Sequence, residues 1–471
     1  MKKRSLALLS FVVILAFLAS CAAPAAAPAP TTAPPAAAAP TTAANVAAPT
    51  AVPAAPATQP PAAPGATKIV FWSHDFPPRE KLDRKYMEIF KQNNPGVDIE
   101  YDLGPGDDVQ YLTKLTTAMT GGQGPDCFNL INFSAGRLLA QNALAPLDLQ
   151  AIGYSSLDQV KSLYVPGTLD GLIKDGKLYA LPSEVSNYSM FVNTKMFTDA
   201  GLDVDKDMPK TWEDMVPLAK KLNKVDSSGH LTMRMFDFTY GQADDATSPA
   251  LSLAGMAYQL GGTVLNDAGT ESLVNTDPWI KSLQYEQDYV LKEKLGDPAL
   301  TVAFLGFGDT SVGMFLSGSW YGPYLSDQKS PVVGQYVVKP MPRWKDAKNN
   351  TGSFLYAYGE FVNASSSPQK QLLCMKLIKE LASHGDDYLT NAGILQPTNA
   401  LVQSDTFKNI PYLNVFVEDM KGTPTWPTNA KSFEIADALT RAIQRAVMDK
   451  NPVKDSLDKA KAEIDALLAK P

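Results

Sequence analysis

From Lys68 onward the apolar residues first run together, then recur every third or fourth position, then alternate. Ile69, Val70, Phe71 and Trp72 form a continuous apolar stretch of strand length, which ends in the polar loop from Ser73 to Pro78. Between Arg79 and Asn93, Leu82, Tyr86, Ile89 and Phe90 fall on one helical face, and Asn94-Pro95-Gly96 stops the helix. Val97 to Leu103 alternates as a second strand, and a second helix follows Gly104 to Asp108 and runs to Met119. After the turn from Gly121 to Asp126, Cys127 to Ile131 is a third strand. The order strand, helix, strand, helix, strand predicts a parallel sheet covered by helices.

Beyond Ile131 the alternation is less regular, which suits a second lobe entered and left more than once. An extended run covers Ser189 to Thr194, and a helix follows near Met196 to Ala200. Thr211-Trp212-Glu213-Asp214 caps the next helix. Thr301 to Trp320 holds a short helix, a strand from Ser311 to Leu316 and a tight turn at Gly318-Ser319-Trp320. Strands return at Val332 to Lys339 and Phe354 to Val362, and helices dominate from Pro368.

The first 66 residues carry none of this patterning. Lys2, Lys3 and Arg4 precede an almost wholly apolar run from Leu6 to Leu18, too short for a comfortable span and suited to a secretory signal. The run ends in Leu18-Ala19-Ser20-Cys21, which resembles the bacterial lipobox, whose Cys is lipidated and becomes the first mature residue. An ordinary signal peptide that happens to carry a Cys is the plain alternative. Residues 22–66 hold 22 Ala, 12 Pro and 6 Thr with no charged residue, a composition with almost nothing to bury. The segment reads as an extended tether that reaches on the order of 100 Å.

Composition then narrows the classes. Hydrophobic residues at 45% and charged residues at 19% exclude wholesale disorder, and 471 residues predict more than one domain. A net charge of −7 without a basic cluster argues against nucleic acid as a partner. Three Cys and three His, all scattered, exclude a disulfide framework and leave no expected metal site or cofactor. Cys127 in a strand and Cys374 on an apolar helix face read as small hydrophobes; a disulfide between them is unusual but left open.

An ordered series over nearly all of residues 68–465 resembles the extracellular sugar-binding proteins of ABC transporters, the maltose-binding type included. It comprises Ile69 to Trp72, Asn94-Pro95-Gly96 before Val97, and Gly122 to Asp126 with its strand. It continues with Gly176 to Pro182, Asn193 to Phe197 before Pro209 to Glu213, and Gly313 to Trp320. The resemblance implies an α/β fold in two lobes, a periplasmic-binding-protein-like clamp. Each lobe is a mostly parallel sheet flanked by helices, and crossing hinge segments join the two. The expected organisation is a signal peptide at 1–20, a lipidated Cys21 and tether over 21–67, a mainly N-terminal lobe over 68–185 and a mainly C-terminal lobe over 186–471 with crossings back to the first. The implied protein is a monomer on the outer face of the bacterial cytoplasmic membrane, held there by lipid on Cys21. It binds a carbohydrate and passes it to an ABC permease without acting as an enzyme.

Sugar chemistry can be sought independently. A pyranose offers apolar C–H faces and a ring of hydroxyls, which aromatic plates and planar carboxylates or amides recognise. Such residues crowd the loops after the strands, where open α/β sheets place ligands. Trp72, His74, Asp75 and Phe76 follow the first strand, Asp107 and Asp108 the second, and Asn129, Asn132, Phe133 and Ser134 the third. Trp72 reads equally as core, Asp107 or Asp108 as a helix cap, and His74 more readily as a structural residue. The resemblance adds Glu184, Asn187 and Tyr188 at a hinge and Trp320 as an aromatic plate. It places Tyr356 and Tyr358 where relatives commonly carry a Gly pair, so the cleft is narrowed or its ligand changed. Trp426 either closes the cleft or anchors the last helices. The expected ligand contacts are Trp72, Asp75, Asp107, Asp108, Asn132, Phe133, Glu184, Asn187, Trp320 and Tyr358.

Three other functions share part of this pattern. A glycoside hydrolase needs aromatic plates and two carboxylates, yet no eightfold strand-helix repeat or G-x-S-x-G motif is present. A glycan-binding adhesin shares the tether and the site chemistry. A polyamine-binding transport component shares the carboxylates and aromatic faces.

Overall fold

A computed structural model describes residues 65–470 apart from 107, 241–246, 350–353, 411, 421–422, 425 and 428. The leader, Cys21, nearly all of the tether and Asp107 lie outside the described residues. No helix among the described residues is long and apolar enough to cross a membrane.

The apolar run at the start of the folded chain becomes β1 (Thr67–His74), and the alternating stretch becomes β2 (Val97–Gly104). The helix Pro77–Asn93 joins them, buries Leu82, Tyr86 and Phe90, and carries Pro in its first turn. The helix Asp108–Thr120 leads on to β3 (Cys127–Ile131). β1 lies between β2 and β3 and is parallel to both, as the periodicity predicts.

The later strands are β4 (Ile173–Lys174), β5 (Lys177–Leu178), β6 (Ala180–Ser186), β7 (Ser189–Asn193), β8 (Lys224–Val225), β9 (Leu231–Phe236), β10 (Val312–Ser317), β11 (Tyr336–Lys339) and β12 (Tyr356–Val362). They sort into a sheet of order β2-β1-β3-β12-β6, a second of order β11-β7-β10-β9-β8, and the small β4-β5 hairpin. The expected two-lobe α/β clamp is present, but its sheets are mixed rather than mostly parallel. β12 runs antiparallel to both β3 and β6, and β7 runs antiparallel to β10 and β11. The physical reason is connectivity. β6 passes to β7 through Asn187 and Tyr188 alone, and among the described residues no helix lies between β11 and β12, so neither strand enters its sheet by a described helical crossover of the kind parallel pairing needs.

Each sheet has its own core. Ile69, Phe71, Phe128, Leu181 and Phe361 pack with Leu377 and Ile378 of the helix Pro368–Leu381 in the first. Trp212, Phe236, Trp279 and Leu439 centre the second. The Thr211 hydroxyl accepts the Asp214 N–H at 3.2 Å, so the expected cap forms at the head of the helix Trp212–Leu222. The strand expected from Val332 is shorter, since Val332 to Gln335 turns through Gly334 in the left-handed region. The reading of Cys127 and Cys374 as inert hydrophobes is corrected: they are joined as a disulfide. Packing of the helix Pro368–Leu381 on the first sheet brings their Cα atoms to 5.8 Å, a distance a disulfide spans readily.

Candidate functional site

A cavity of about 500 Å³ opens between the two sheets, where the chain crosses from one to the other. From the first sheet it takes His74, Asp75 and Phe76 at the end of β1, Asp108 after β2, Glu184 on β6 and Tyr356 and Tyr358 on β12. The second lobe supplies Ser248, Phe304, Phe315, Ser317, Trp320, Tyr324 and Gln328.

Trp320 is held between the lobes. Its Nε1 donates to Tyr356 Oη at 2.7 Å, its ring meets Phe76 edge-on at 6.0 Å, and it lies tilted to Phe304 at 6.2 Å. Two glycines make this turn possible. A Cβ at Gly318 would overlap Trp320 Nε1 and Tyr356 Oη. Gly393, at φ +65°, has no room for a Cβ against Ser319 O, and its own carbonyl accepts the Ser319 hydroxyl at 2.7 Å. With its one donor engaged, the indole offers the cavity only its apolar ring.

The polar floor is a buried network. Arg79, in the first turn of the helix Pro77–Asn93, donates to Glu184 Oε2 at 2.7 Å and to Asn129 Oδ1 at 2.9 Å, and its guanidinium lies 5.3 Å from the Tyr358 ring centre. Burial raises the Glu184 carboxyl from its usual value, and the Arg79 guanidinium opposes that rise. Asn129 Nδ2 donates to Glu360 Oε1 at 2.9 Å. Burial first, and the Asp83 charge second, push Glu360 up to about 7. His74 stacks on Tyr358 at 4.8 Å, and burial together with Arg79 holds its imidazole well below the usual range, so it is neutral. The Tyr358 hydroxyl donates to both Asp108 oxygens at 3.0 Å. Asp75 differs: its carboxyl is raised by partial burial and by Glu80, and among the described residues no hydrogen bond or ion pair reaches it.

Of the ten residues expected at the ligand, Asp75, Asp108, Glu184, Trp320 and Tyr358 line the cavity. Four others are placed elsewhere. Trp72 belongs to the first core, with Lys114 4.5 Å from its ring centre. The sequence predicts a loop at Asn132 and Phe133, but the helix Asn132–Ala140 starts directly at the strand end and turns both inward. Asn132 Oδ1 accepts the Ala357 N–H at 3.3 Å, and Phe133 packs on Trp426. Asn187 is buried in the crossing and donates to Phe416 O at 3.3 Å. Trp426 is a core anchor, its Nε1 donating to Ser432 O at 3.1 Å.

Arg79 was missed. The available signal was a charge on the apolar helix face, three, seven and eleven positions before Leu82, Tyr86 and Phe90. Phe304, Phe315 and Tyr324 sit in segments whose periodicity is that of ordinary core.

A family model described as bacterial extracellular solute-binding protein matches residues 77–388. A Brucella abortus (strain 2308) protein, whose name says that it binds without saying what, is 23% identical over 393 residues, 81% of this chain and 89% of that protein. The arabinooligosaccharide-binding protein of Bacillus subtilis (strain 168) is 25% identical over 297 residues, 60% of this chain and 62% of that protein. Among solved structures, an ABC-transporter solute-binding protein from Thermotoga lettingae TMO, bound with alpha-D-tagatose, superposes with a TM-score of 0.75. It shares 17% identity and covers 86% of this chain and 100% of its own. These relatives are binding proteins, not enzymes.

Proposed function

The chain belongs to the bacterial extracellular solute-binding protein family, and from that premise we propose that it captures a carbohydrate in the interlobe cleft and delivers it to an ABC permease. Its family places it outside the cytoplasm. The observation that carries the ligand class is the convergence of aromatic rings (Phe76, Phe304, Trp320, Tyr324) with carboxylate and hydroxyl groups (Asp75, Asp108, Ser248, Ser317) around one cavity. The arabinooligosaccharide-binding name of the Bacillus protein and the tagatose bound to the Thermotoga protein support the same reading.

Two lobes joined by narrow crossings close on such a ligand, because each carries only part of the hydrogen-bonding set. The lipobox at Cys21 anchors the mature monomer, and the tether over 22–66 lets the lobes reach the permease. Palmitate labelling that persists unchanged in Cys21→Ala would contradict the anchor.

The test of the ligand class is a thermal-shift screen of sugars, polyols and polyamines. A ligand at a hundred times its Kd adds roughly 2.7 kcal/mol of stability, which reads as a shift of a few degrees. A sugar that raises the melting temperature supports the proposal; a rise with polyamines or peptides alone rejects it.

A further inference from the structure

We infer that the ligand of this cleft carries a protonated amine, so that an amino sugar binds more tightly than the neutral sugar it otherwise matches. The inference rests on the carbohydrate reading above and narrows it.

Among the described residues, the charged groups lining the cavity are three carboxylates, Asp75, Asp108 and Glu184, and one guanidinium, Arg79. Arg79 and Glu184 are paired at 2.7 Å with both side chains buried, so together they present no net charge. His74 contributes none, being held neutral by burial and Arg79. Two carboxylates are left over. Asp108 is already engaged by the Tyr358 hydroxyl. Asp75 is not: it stands exposed at the end of β1 with no hydrogen-bond or ion-pair partner among the described residues.

Its surroundings suit a cation. Phe76 adjoins it in the chain, Trp320 meets Phe76 edge-on, and the Tyr324 hydroxyl feels the Asp75 charge across the cleft. Gly106 abuts the Asp75 backbone, where a Cβ would lie 3.0 Å from the carbonyl oxygen, so this position brings no side chain against Asp75. Lys81, the first lysine of the following helix, is ion-paired with Asp327. A carboxylate beside aromatic faces holds an ammonium through charge and through the ring quadrupoles. A hydroxyl in the same place gains a hydrogen bond without the Coulomb attraction. A phosphate or uronate meets a negative field with no uncommitted cation among the described lining residues.

The test is calorimetric titration of the purified full chain with matched pairs that differ in amine against hydroxyl. Suitable pairs are glucosamine and glucose, galactosamine and galactose, and fully deacetylated chitotriose and cellotriose, in mildly acidic, low-salt buffer. The amine member of the binding pair should be about five- to tenfold tighter, as expected for one charge pair in largely aqueous surroundings. That advantage should shrink at high salt and disappear in Asp75→Asn, whose fold is checked by circular dichroism. Equal or tighter binding of the neutral member overturns the inference and leaves the carbohydrate reading standing. An advantage that survives Asp75→Asn overturns the assignment to Asp75. If spermidine binds and no member of any pair does, the carbohydrate reading falls, and with it the amino-sugar form of this inference; binding of nothing in the panel has the same consequence.

Discussion

Trp320 joins an apolar ring at the cleft to a hydrogen bond that fixes its orientation. Its ring is kept in place by Tyr356 on β12, so ligand stacking requires no reordering of the side chain. Stacking on one aromatic plate contributes roughly 1 to 3 kcal/mol, by analogy with bases on aromatic side chains. Trp320→Ala should therefore weaken ligand binding by about 5- to 150-fold, measured by calorimetry, with circular dichroism unchanged. Unaltered affinity would remove Trp320 from the site. Glu360 gives a second prediction, this time in pH. Its folded pKa is about 7, against 4.5 for the ordinary carboxyl. Below about pH 4.5 both folded and unfolded forms are protonated and folding carries no penalty from this group. As pH rises toward 7 the unfolded chain releases the proton while the folded one keeps it, so stability falls, by up to about 3 kcal/mol. Glu360→Gln keeps the acceptor for Asn129 and should gain stability relative to the parent between pH 5 and 8 in urea titrations. A constant difference across that range would show that Glu360 does not titrate there. Residues were legible in the sequence where a loop really follows a strand: Asp75 and Asp108 are cleft residues for that reason. Asn132 and Phe133 were not, because the backbone enters a helix with no loop between.

Strands and helices carry a different lesson. The first three strands and their two helices follow from periodicity alone, since their pairing partners are close in the chain and helices supply the crossovers. β12 could not be placed that way. It pairs with β3 across more than two hundred residues, and nothing local in Tyr356–Val362 separates an antiparallel neighbour from a parallel one. The same return of the chain creates the disulfide, whose two cysteines lie 247 residues apart and are fully buried. It ties β3 to the helix Pro368–Leu381 inside the first lobe, and neither cysteine is among the residues that line the cavity. Cys127→Ala/Cys374→Ala should lose about 2 to 4 kcal/mol of stability in denaturant titration while keeping ligand affinity within about twofold. Two free thiols in the denatured, unreduced parent, beyond any at Cys21, would show that the bridge is not formed.

The whole molecule is two interleaved lobes. The first takes its strands from residues 67–186 and 356–362, and the second takes its strands from 189–339 and helices from the chain's end. That interleaving leaves few covalent connections between the cores, which suits the proposed rotation of one lobe against the other. The ion pair of Lys81 with Asp327 and the edge contact of Phe76 with Trp320 both bridge the lobes beside the cavity, so the proposed opening and closing would register there. The central claim is that a sugar is captured between the lobes by that motion. Small-angle scattering of the protein with and without a saturating sugar identified by the thermal screen tests it most directly. The account predicts a smaller radius of gyration in the bound form; an unchanged radius at demonstrated saturation would contradict it.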